Sequence, residues 1–387
     1  MTVYYTKMRE ILCKIGMVNK MNNKKIKVLH LELDEHLGGI ESFLYNLYNA
    51  IDREKVQFDF VSRSDNPAYK SELTELGANI FKVYSFKNPF KYMNDLKQII
   101  KNGEYDIIHI HKNSAANILP FCVTNKFKNM KVFVHSHNTK PSVNGCTSVL
   151  HNINKKFLYD SANKHFACSQ VAGEWMYGKN IKFRVLRNGI ITSKYRFNKE
   201  KRKIKRQELN IPNSAFVVGN VGRFAEQKNQ KRLVEVFDEV KKLNPNSYLL
   251  LIGDGNLKEK IQLYVKEKNI ENVKFLGVRN DIPDLMMAMD VFVMPSLYEG
   301  LPIVGVEAQA AGLNLYLSNT ISKETQLIDS VKWFDLNESN KRIAESIKIE
   351  MIDDEERKCR NDDVKNHGYD IEQTAKELLY EYEECLR

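Results

Sequence analysis

Two successive rounds of short apolar runs and amphipathic segments constrain this chain more than any other feature of it. The first round opens with Ile26–Leu33 (IKVLHLEL), a run followed by Gly38-Gly39 and an amphipathic segment over residues 40–51. Further strands are predicted at 58–62, 80–83, 107–110, 132–135 and 165–167, with helical stretches such as 93–101 and 149–162 between them. The pattern restarts after residue 190. Strands are predicted at 216–221, 248–252, 273–276, 291–294 and 315–318, and helices at 230–243, 257–268, 282–289 and 303–311. Strands alternating with helices imply βαβ units and a mostly parallel sheet, so the expected fold class is α/β with two doubly wound halves.

The join is expected in 192–213 (TSKYRFNKEKRKIKRQELNIPN), a polar and strongly basic stretch bounded by Pro212. Such a run reads first as a solvated linker leading into an exposed helix; contact with acidic lipid or an acceptor phosphate is the functional alternative. Residues 371–386 place Ile371, Ala375, Leu378, Leu379, Tyr382 and Leu386 at helical spacing, which gives one apolar face.

Composition narrows the class. With 43% hydrophobic and 28% charged residues among 387, wholesale disorder is excluded. No run approaches the roughly 18–20 apolar residues needed to span a bilayer. The first residues carry no apolar core with a small-residue cleavage site, so no secretory signal is expected. Six scattered cysteines without a C-x-x-C pair argue against a disulfide scaffold or structural zinc, and the expected compartment is the reducing cytoplasm. A net charge of +10 suits an anionic surface or a phosphorylated substrate. The accompanying excess of Asn and Ile is also what an AT-rich coding sequence would produce. Nucleic acid is not expected, since neither a helix-turn-helix nor an aromatic RNA-binding signature is present.

In open parallel sheets ligands bind beyond the carboxyl ends of the strands, so residues just after strands carry most information. Four groups stand there. Gly38-Gly39 opens a helix and lets a backbone approach a ligand closely, with free N–H groups facing an anion, though it is no G-x-G-x-x-G. Arg223 and Lys228 flank a strand-to-helix turn, as a phosphate clamp would, and equally as a salt-bridged surface turn would. In the stretch 295–308, Gly300 allows a tight turn and Pro302 suits a first helical turn. Glu299 then projects from the loop and Glu307 lies inside the helix, spaced E-x7-E. Finally, His135-Ser136-His137-Asn138 closes a strand, and His109 and His111 repeat the theme one strand earlier. Without a third ligand nearby these pairs read as hydroxyl and phosphate recognition or as core histidines, not as a metal centre.

Taken together, these pieces are recognisable. The chain resembles the retaining glycosyltransferases of family 4, and within them the enzymes of Gram-positive capsular and exopolysaccharide gene clusters. LGGIESFLYNLYNAIDREKVQFDFV, VHSHN, VLRNGI, VGRFAEQKN, FLGVRNDI, PSLYEGLPIVGVEAQAAGL and SNTISKE carry the likeness, which covers residues 25–387. It implies the GT-B fold, two Rossmann-like domains facing across a cleft. The implied layout is an extension at 1–24, an acceptor-side domain at 25–190 and a nucleotide-sugar domain at 191–370. A helix at 371–387 would pack back on the first domain.

By the same resemblance Arg223 and Lys228 hold the donor diphosphate and Glu299 meets the donor sugar. Amides of Gly300, Leu301, Pro302 and Ile303 line sugar and phosphate, although proline has no N–H to give. Glu307 binds the ribose hydroxyls, backbone near Val278 and Arg279 reads the base, and Gly38-Gly39 lies against the diphosphate. The family's active-site histidine matches His137 or His135, with His137 preferred. The chain departs from the family in having Ile191 after Asn188-Gly189-Ile190 where Asp is usual, Asn314 where Pro is common, and Asn319 for Asp.

The implied reaction moves a hexose or N-acetylhexosamine from a nucleotide-sugar, UDP-sugar by family habit, to a saccharide or polyprenyl-linked acceptor. No cofactor and no metal are expected. Peripheral contact with an anionic membrane at the inner face of the cell is expected too. A teichoic-acid or protein glycosyltransferase is the alternative; a sugar-nucleotide epimerase or a catalytically idle partner subunit is more remote.

Overall fold

The computed structural model describes residues 25–35, 38–138 and 145–387, and the extension at 1–24 lies outside them. Thirteen strands are present among the described residues: β1 (Ile26–Leu33), β2 (Val56–Ser62), β3 (Ile80–Lys82), β4 (Ile107–Lys112), β5 (Lys131–Ser136), β6 (Lys164–Ala167) and β7 (Arg184–Val185), then β8 (Phe216–Val221), β9 (Ser247–Ile252), β10 (Val273–Gly277), β11 (Val291–Met294), β12 (Asn314–Ser318) and β13 (Val331–Phe334). They form a seven-stranded sheet ordered β3-β2-β1-β4-β5-β6-β7 and a six-stranded sheet ordered β10-β9-β8-β11-β12-β13. Strand order reverses between β1 and β4 in one and between β8 and β11 in the other, which makes two topological switch points. The expectation of two parallel, doubly wound halves holds.

Two strands were not anticipated. β7 has two residues at a sheet edge, too short for any period to register. β13 reads V-K-W-F, with its second residue exposed, and among the described residues pairs with β12 alone.

The chain divides into two compact units. One runs to His135 and takes in Cys146–His165 and Ala375–Arg387; the other holds Phe166–Thr374 and the piece from Ser136 to Gly145.

The second unit shows why its sequence reads as buried parallel strands. Phe216 and Val218 of β8, Leu249 and Leu251 of β9, and Val291 and Val293 of β11 face one apolar core, shared with Leu233 and Phe237 of the helix Gln230–Leu243. The alternate residues Val217, Leu250, Ile252, Phe292 and Met294 face the other, with Val306 and Leu285. Both faces are covered, so the strands are apolar throughout instead of alternating.

The basic stretch before β8 contains the exposed helix its composition suggests, but part of its charge is directed inward. It folds into the helix Lys199–Glu208, whose Arg206 is fully buried. That guanidinium donates to Ala288 O (3.0 Å), to Asn213 O and Ala215 O (2.9 Å each) and to Asp290 Oδ2 (2.8 Å). Asp290 also receives Arg202 (2.5 Å) and the Val217 amide (2.7 Å). Lys205 is held by Asp281 and Glu208, both at 2.6 Å. Three of the charges offered to an external anion are therefore spent inside the fold.

The third ligand that the sequence spacing lacked is supplied in space: ring nitrogens of His30, His109 and His111 lie within 4.8 Å of one another. His30 on β1, His109 and His111 on β4 and His135 on β5 are all buried. His30 Nδ1 lies 2.9 Å from His111 Nε2, and His109 Nδ1 2.8 Å from the hydroxyl of Tyr382. Tyr382 belongs to the C-terminal helix Ile371–Leu386, and Leu378 and Tyr382 are wholly enclosed. Cys122, Cys168, Cys359 and Cys385 are free thiols. No helix among the described residues is long and apolar enough to cross a membrane.

Burial pushes the His30 imidazole down to about 3. The unfolded chain would bind a proton below about pH 6.5 that the folded ring refuses, so this contribution to stability is complete above that pH and is lost on acidification toward pH 3. The slope expected from one such group is about 1.4 kcal/mol per pH unit. His30→Leu should therefore lower stability at neutral pH yet shrink the loss between about pH 7 and 5 by about 2 kcal/mol. Urea unfolding of both proteins at the two pH values measures this.

Candidate active site

The loops that leave β8 and β11, the neighbours at the switch point of the second sheet, carry the strongest candidates. After β8 the chain passes through Gly222, Arg223 and the buried Phe224 into a single 3-10 turn, Glu226–Lys228. Asn229 then adopts φ +53°, a left-handed residue that launches the helix Gln230–Leu243. Two glycines after β9 press on this loop. Gly253 has φ +132°, and a Cβ there would lie 2.2 Å from Gly222 O; Gly255 has φ +153°, and its Cβ would lie 2.4 Å from Phe224 O. Backbone bonds complete the contact: Gly222 N to Ile252 O at 2.9 Å and Phe224 N to Asp254 O at 2.9 Å. Only glycine meets both the space and the backbone angle here.

The β11 loop docks from the other side. Leu297 N donates to Gln227 O (2.8 Å), Gln227 Nε2 to Tyr298 O (3.0 Å) and Asn229 Nδ2 to Pro295 O (3.1 Å). Ser318 and Thr320 both donate to Ser296 O, at 2.6 and 2.7 Å. So fixed, the loop brings Glu299 Oε1 to 2.5 Å from Lys228 Nζ, an ion pair whose carboxylate side chain is 10% exposed. Arg223 is exposed, and among the described residues its guanidinium makes no ion pair. The two cations thus differ: one is already matched, the other is open.

Gly300, Leu301 and Pro302 lead into the helix Ile303–Ala310, whose first turn has no side-chain cap. Its unpaired amides and dipole favour an anion. Gln309, fully buried, holds the helix to the next loop: Nε2 donates to Thr325 O (2.8 Å) and Oε1 accepts from Leu327 N (2.9 Å). Glu307 Oε1 accepts from the Tyr195 hydroxyl at 2.6 Å. Its enclosure raises the carboxyl above the usual range, with the Tyr195 bond opposing.

Val278 is 60% exposed beyond β10. The Arg279 guanidinium is committed to Asp281 (2.8 and 2.7 Å) and Glu208 (3.0 Å). It holds the Asp281 carboxyl well below the usual carboxylate range. Arg279 therefore offers a ligand its backbone, not its charge.

The histidine doublet separates. His135 is wholly enclosed in the first unit, edge-on to Phe43 (5.5 Å) and beside His109 (5.7 Å). His137 stands past the end of β5, is partly exposed, and hydrogen-bonds with Asn188. Burial pushes its imidazole down to about 3 against that bond. Gly38 begins the helix Gly39–Ala50 in extended conformation, and a Cβ on Gly39 would meet nothing within 4 Å. Glu41 already sits in that helix's first turn, accepting from Asp34 N at 3.2 Å, and burial raises its carboxyl. The structure thus unites Arg223, Lys228, Glu299, Gly300, Leu301, Pro302 and Ile303 in the second unit, with Glu307 one turn deeper. Gly38, Gly39 and His135 lie in the first.

Several supporting residues escaped the sequence reading. Gly253-Asp254-Gly255 after an apolar run was visible and could have been singled out. Tyr195 and Gln309 gave no local signal, since their roles depend on partners 112 and 16 residues away.

The comparisons with known proteins agree with this architecture. Residues 201–366 match the family of glycosyl transferases group 1, and residues 37–194 match glycosyltransferase family 4. The putative glycosyltransferase EpsF of Bacillus subtilis is 32% identical over 94% of this chain and 97% of its own length. An Escherichia coli UDP-Gal:alpha-D-GlcNAc-diphosphoundecaprenol alpha-1,3-galactosyltransferase is 25% identical over 91% and 95%. The structure of Anabaena Alr3699/HepE in complex with UDP and glucose superposes with a TM-score of 0.74 over 91% of this chain and 98% of that one, at 18% identity. Two parallel-sheet units of this kind, each with its candidate ligand loops after the strands, define the GT-B class. The chain belongs to the family 4 glycosyltransferases and is a glycosyltransferase.

Gly255→Ala forces a side chain into a backbone oxygen at a left-handed angle and should cost about 2 kcal/mol. Urea unfolding of the variant beside the wild type checks this, and unchanged stability would show that the β8 loop is indifferent to its glycine support.

Proposed function

We propose that this glycosyltransferase moves a hexose or N-acetylhexosamine from a UDP-sugar to a saccharide on a lipid diphosphate, with retention of anomeric configuration, in capsule or exopolysaccharide assembly. The observation that carries the reading is the Lys228–Glu299 pair beside the open Arg223 and the uncapped start of the helix Ile303–Ala310. Relatives lend support. The E. coli enzyme is named for a UDP-galactose donor and a diphosphoundecaprenol-linked acceptor, and HepE is described with UDP and glucose.

Breaking the bond between the anomeric carbon and the diphosphate builds positive charge on the sugar and negative charge on the leaving oxygen. Arg223 binds phosphate oxygens with its planar fork, Lys228 adds a point charge, and the helix start adds amide dipoles. With the leaving charge met by groups of this chain, the reaction proceeds without a divalent metal. Glu299 accepts hydroxyls of the sugar, and Glu307 with Tyr195 brackets the ribose diol. The exposed backbone at Val278 and Arg279 reads the base. The acceptor hydroxyl attacks from the face the diphosphate leaves, giving its proton to a donor phosphate oxygen. His137, at a strand end and not enclosed like His135, is the histidine of the active centre. In the first unit, Gly38 and Gly39 open the helix Gly39–Ala50, whose start favours an anion.

A thermal-shift panel of UDP, GDP, ADP and their sugar conjugates, with chelator present, tests the donor. At a hundredfold excess over its dissociation constant the right ligand adds about 2.7 kcal/mol to the folded state. We expect a selective response to one UDP-sugar; silence from a folded sample would remove the donor site. Arg223→Ala and Lys228→Ala should each lower kcat/KM for that donor by more than tenfold, an effect of about 1.4 kcal/mol or more. Near-wild-type kinetics in both would overturn the assignment, and turnover abolished by chelator would overturn the metal-free mechanism.

A further inference from the structure

Two neighbouring strands bring three imidazoles to one place in the first unit. His109 and His111 stand two residues apart on β4, so their side chains leave the same face of the sheet. The register of β1 on β4 sets His30 directly opposite His109. One ring nitrogen of each lies within 4.8 Å of those of the other two. All three side chains are enclosed, and aromatic rings pack around them. Centroid to centroid, Phe58 lies 4.2 Å and Phe60 5.4 Å from His30, and Phe133 lies 5.9 Å from His109.

Hydrogen bonds account for part of this cluster. His30 Nδ1 faces His111 Nε2 at 2.9 Å, and His109 Nδ1 faces the Tyr382 hydroxyl at 2.8 Å. His30 Nε2 is enclosed without a partner, a cost that an apolar ring at this position would not carry. The trio offers imidazole nitrogens and no carboxylate, which selects zinc, cobalt or nickel over magnesium or calcium. Zinc bonds of about 2.0–2.1 Å in tetrahedral geometry set ligand nitrogens about 3.3 Å apart. The His30–His111 pair therefore opens by about 0.4 Å to admit an ion, while His109 closes in. The proton shared by those two nitrogens passes to the far nitrogen of its own ring, so neutral imidazoles take the ion with no net proton lost. Tyr382 keeps His109 oriented, as hydrogen bonds from outside a metal's ligand shell do.

We propose that His30, His109 and His111 form a structural site for one divalent transition ion of the zinc class. The ion ties β1 to β4 at the switch point of the first sheet, and Tyr382 extends the tie to the helix Ile371–Leu386. It takes no part in the sugar transfer proposed above, so the inference stands apart from that reading. Spacing alone hides such a site, because H-x-H supplies two ligands and the third precedes His111 by 81 residues.

The full chain, expressed with zinc in the medium and purified without a histidine tag, tests this; the enclosed ligands then meet the ion during folding. Elemental mass spectrometry should find one zinc per chain, and X-ray absorption at the zinc edge should show imidazole nitrogens and no sulfur. Cobalt supplied in place of zinc should give the intense visible bands of a tetrahedral ion, and magnesium should not displace it. His30→Leu and His111→Gln should each lower the bound metal at least tenfold, whereas His367→Gln, at an exposed ring, should leave it unchanged. Tyr382→Phe keeps an aromatic ring in the core and removes only the hydroxyl, so it reports even where a histidine variant does not fold; zinc affinity should fall about tenfold. A wild-type chain without stoichiometric zinc, or with sulfur in the ligand shell, overturns the proposal. So does metal lost with His367, or metal kept in full by folded His30→Leu and His111→Gln.

Discussion

The second unit depends on one buried carboxylate. Asp290, 3% exposed, receives Arg206, Arg202 and the Val217 amide. Through it the residue just before β11 is tied to the second residue of β8 and to the helix that leads into that strand. A buried pair of this kind contributes little compared with an apolar replacement, yet losing one partner strands the other and costs about 3–5 kcal/mol. Its value here is positional. It sets the register of two parallel strands at their entry ends, so the loops at their exit ends emerge side by side.

Those exit loops then need only short-range means to form the site. Gly253 and Gly255 bring the β9 loop against the backbone of the β8 loop, and side-chain amides of Gln227 and Asn229 sew it to the β11 loop. Each support is backbone-directed, which leaves the charged ends of Arg223, Lys228 and Glu299 outside the scaffold of the loops. The same division of labour holds in the helix Ile303–Ala310. Gln309 faces inward to fix the helix, and Glu307 meets Tyr195.

Much of this was legible before the structure, because the informative patterns are local. A parallel strand buried on both faces is a short apolar run, and E-x7-E and G-R-x4-K are spacings within a single loop and helix. What escaped was set by tertiary partners. The basic stretch 192–213 reads as solvated because charge is counted without regard to direction. Arg206 turns inward onto carbonyls that no sequence window contains. The doublet His135 and His137 could not be resolved by type or spacing; β5 ends between them, at Ser136, so only the first belongs to the strand. β7 is too brief to carry any pattern.

The Lys228–Glu299 pair carries a consequence of its own. Each group quenches the other, so the two loops present much less field to a passing anion than two cations would. A diphosphate that draws Lys228 toward itself leaves a nearly buried carboxylate without its counter-ion, and a bare nucleotide offers nothing to replace it. A ligand carrying hydroxyls next to its phosphate does, since they can donate to the released oxygens. Two modest interactions thereby become conditional on one another. Under the function proposed above, such a site would screen for the joint presence of sugar and diphosphate and would hold the spent nucleotide less firmly than the charged donor.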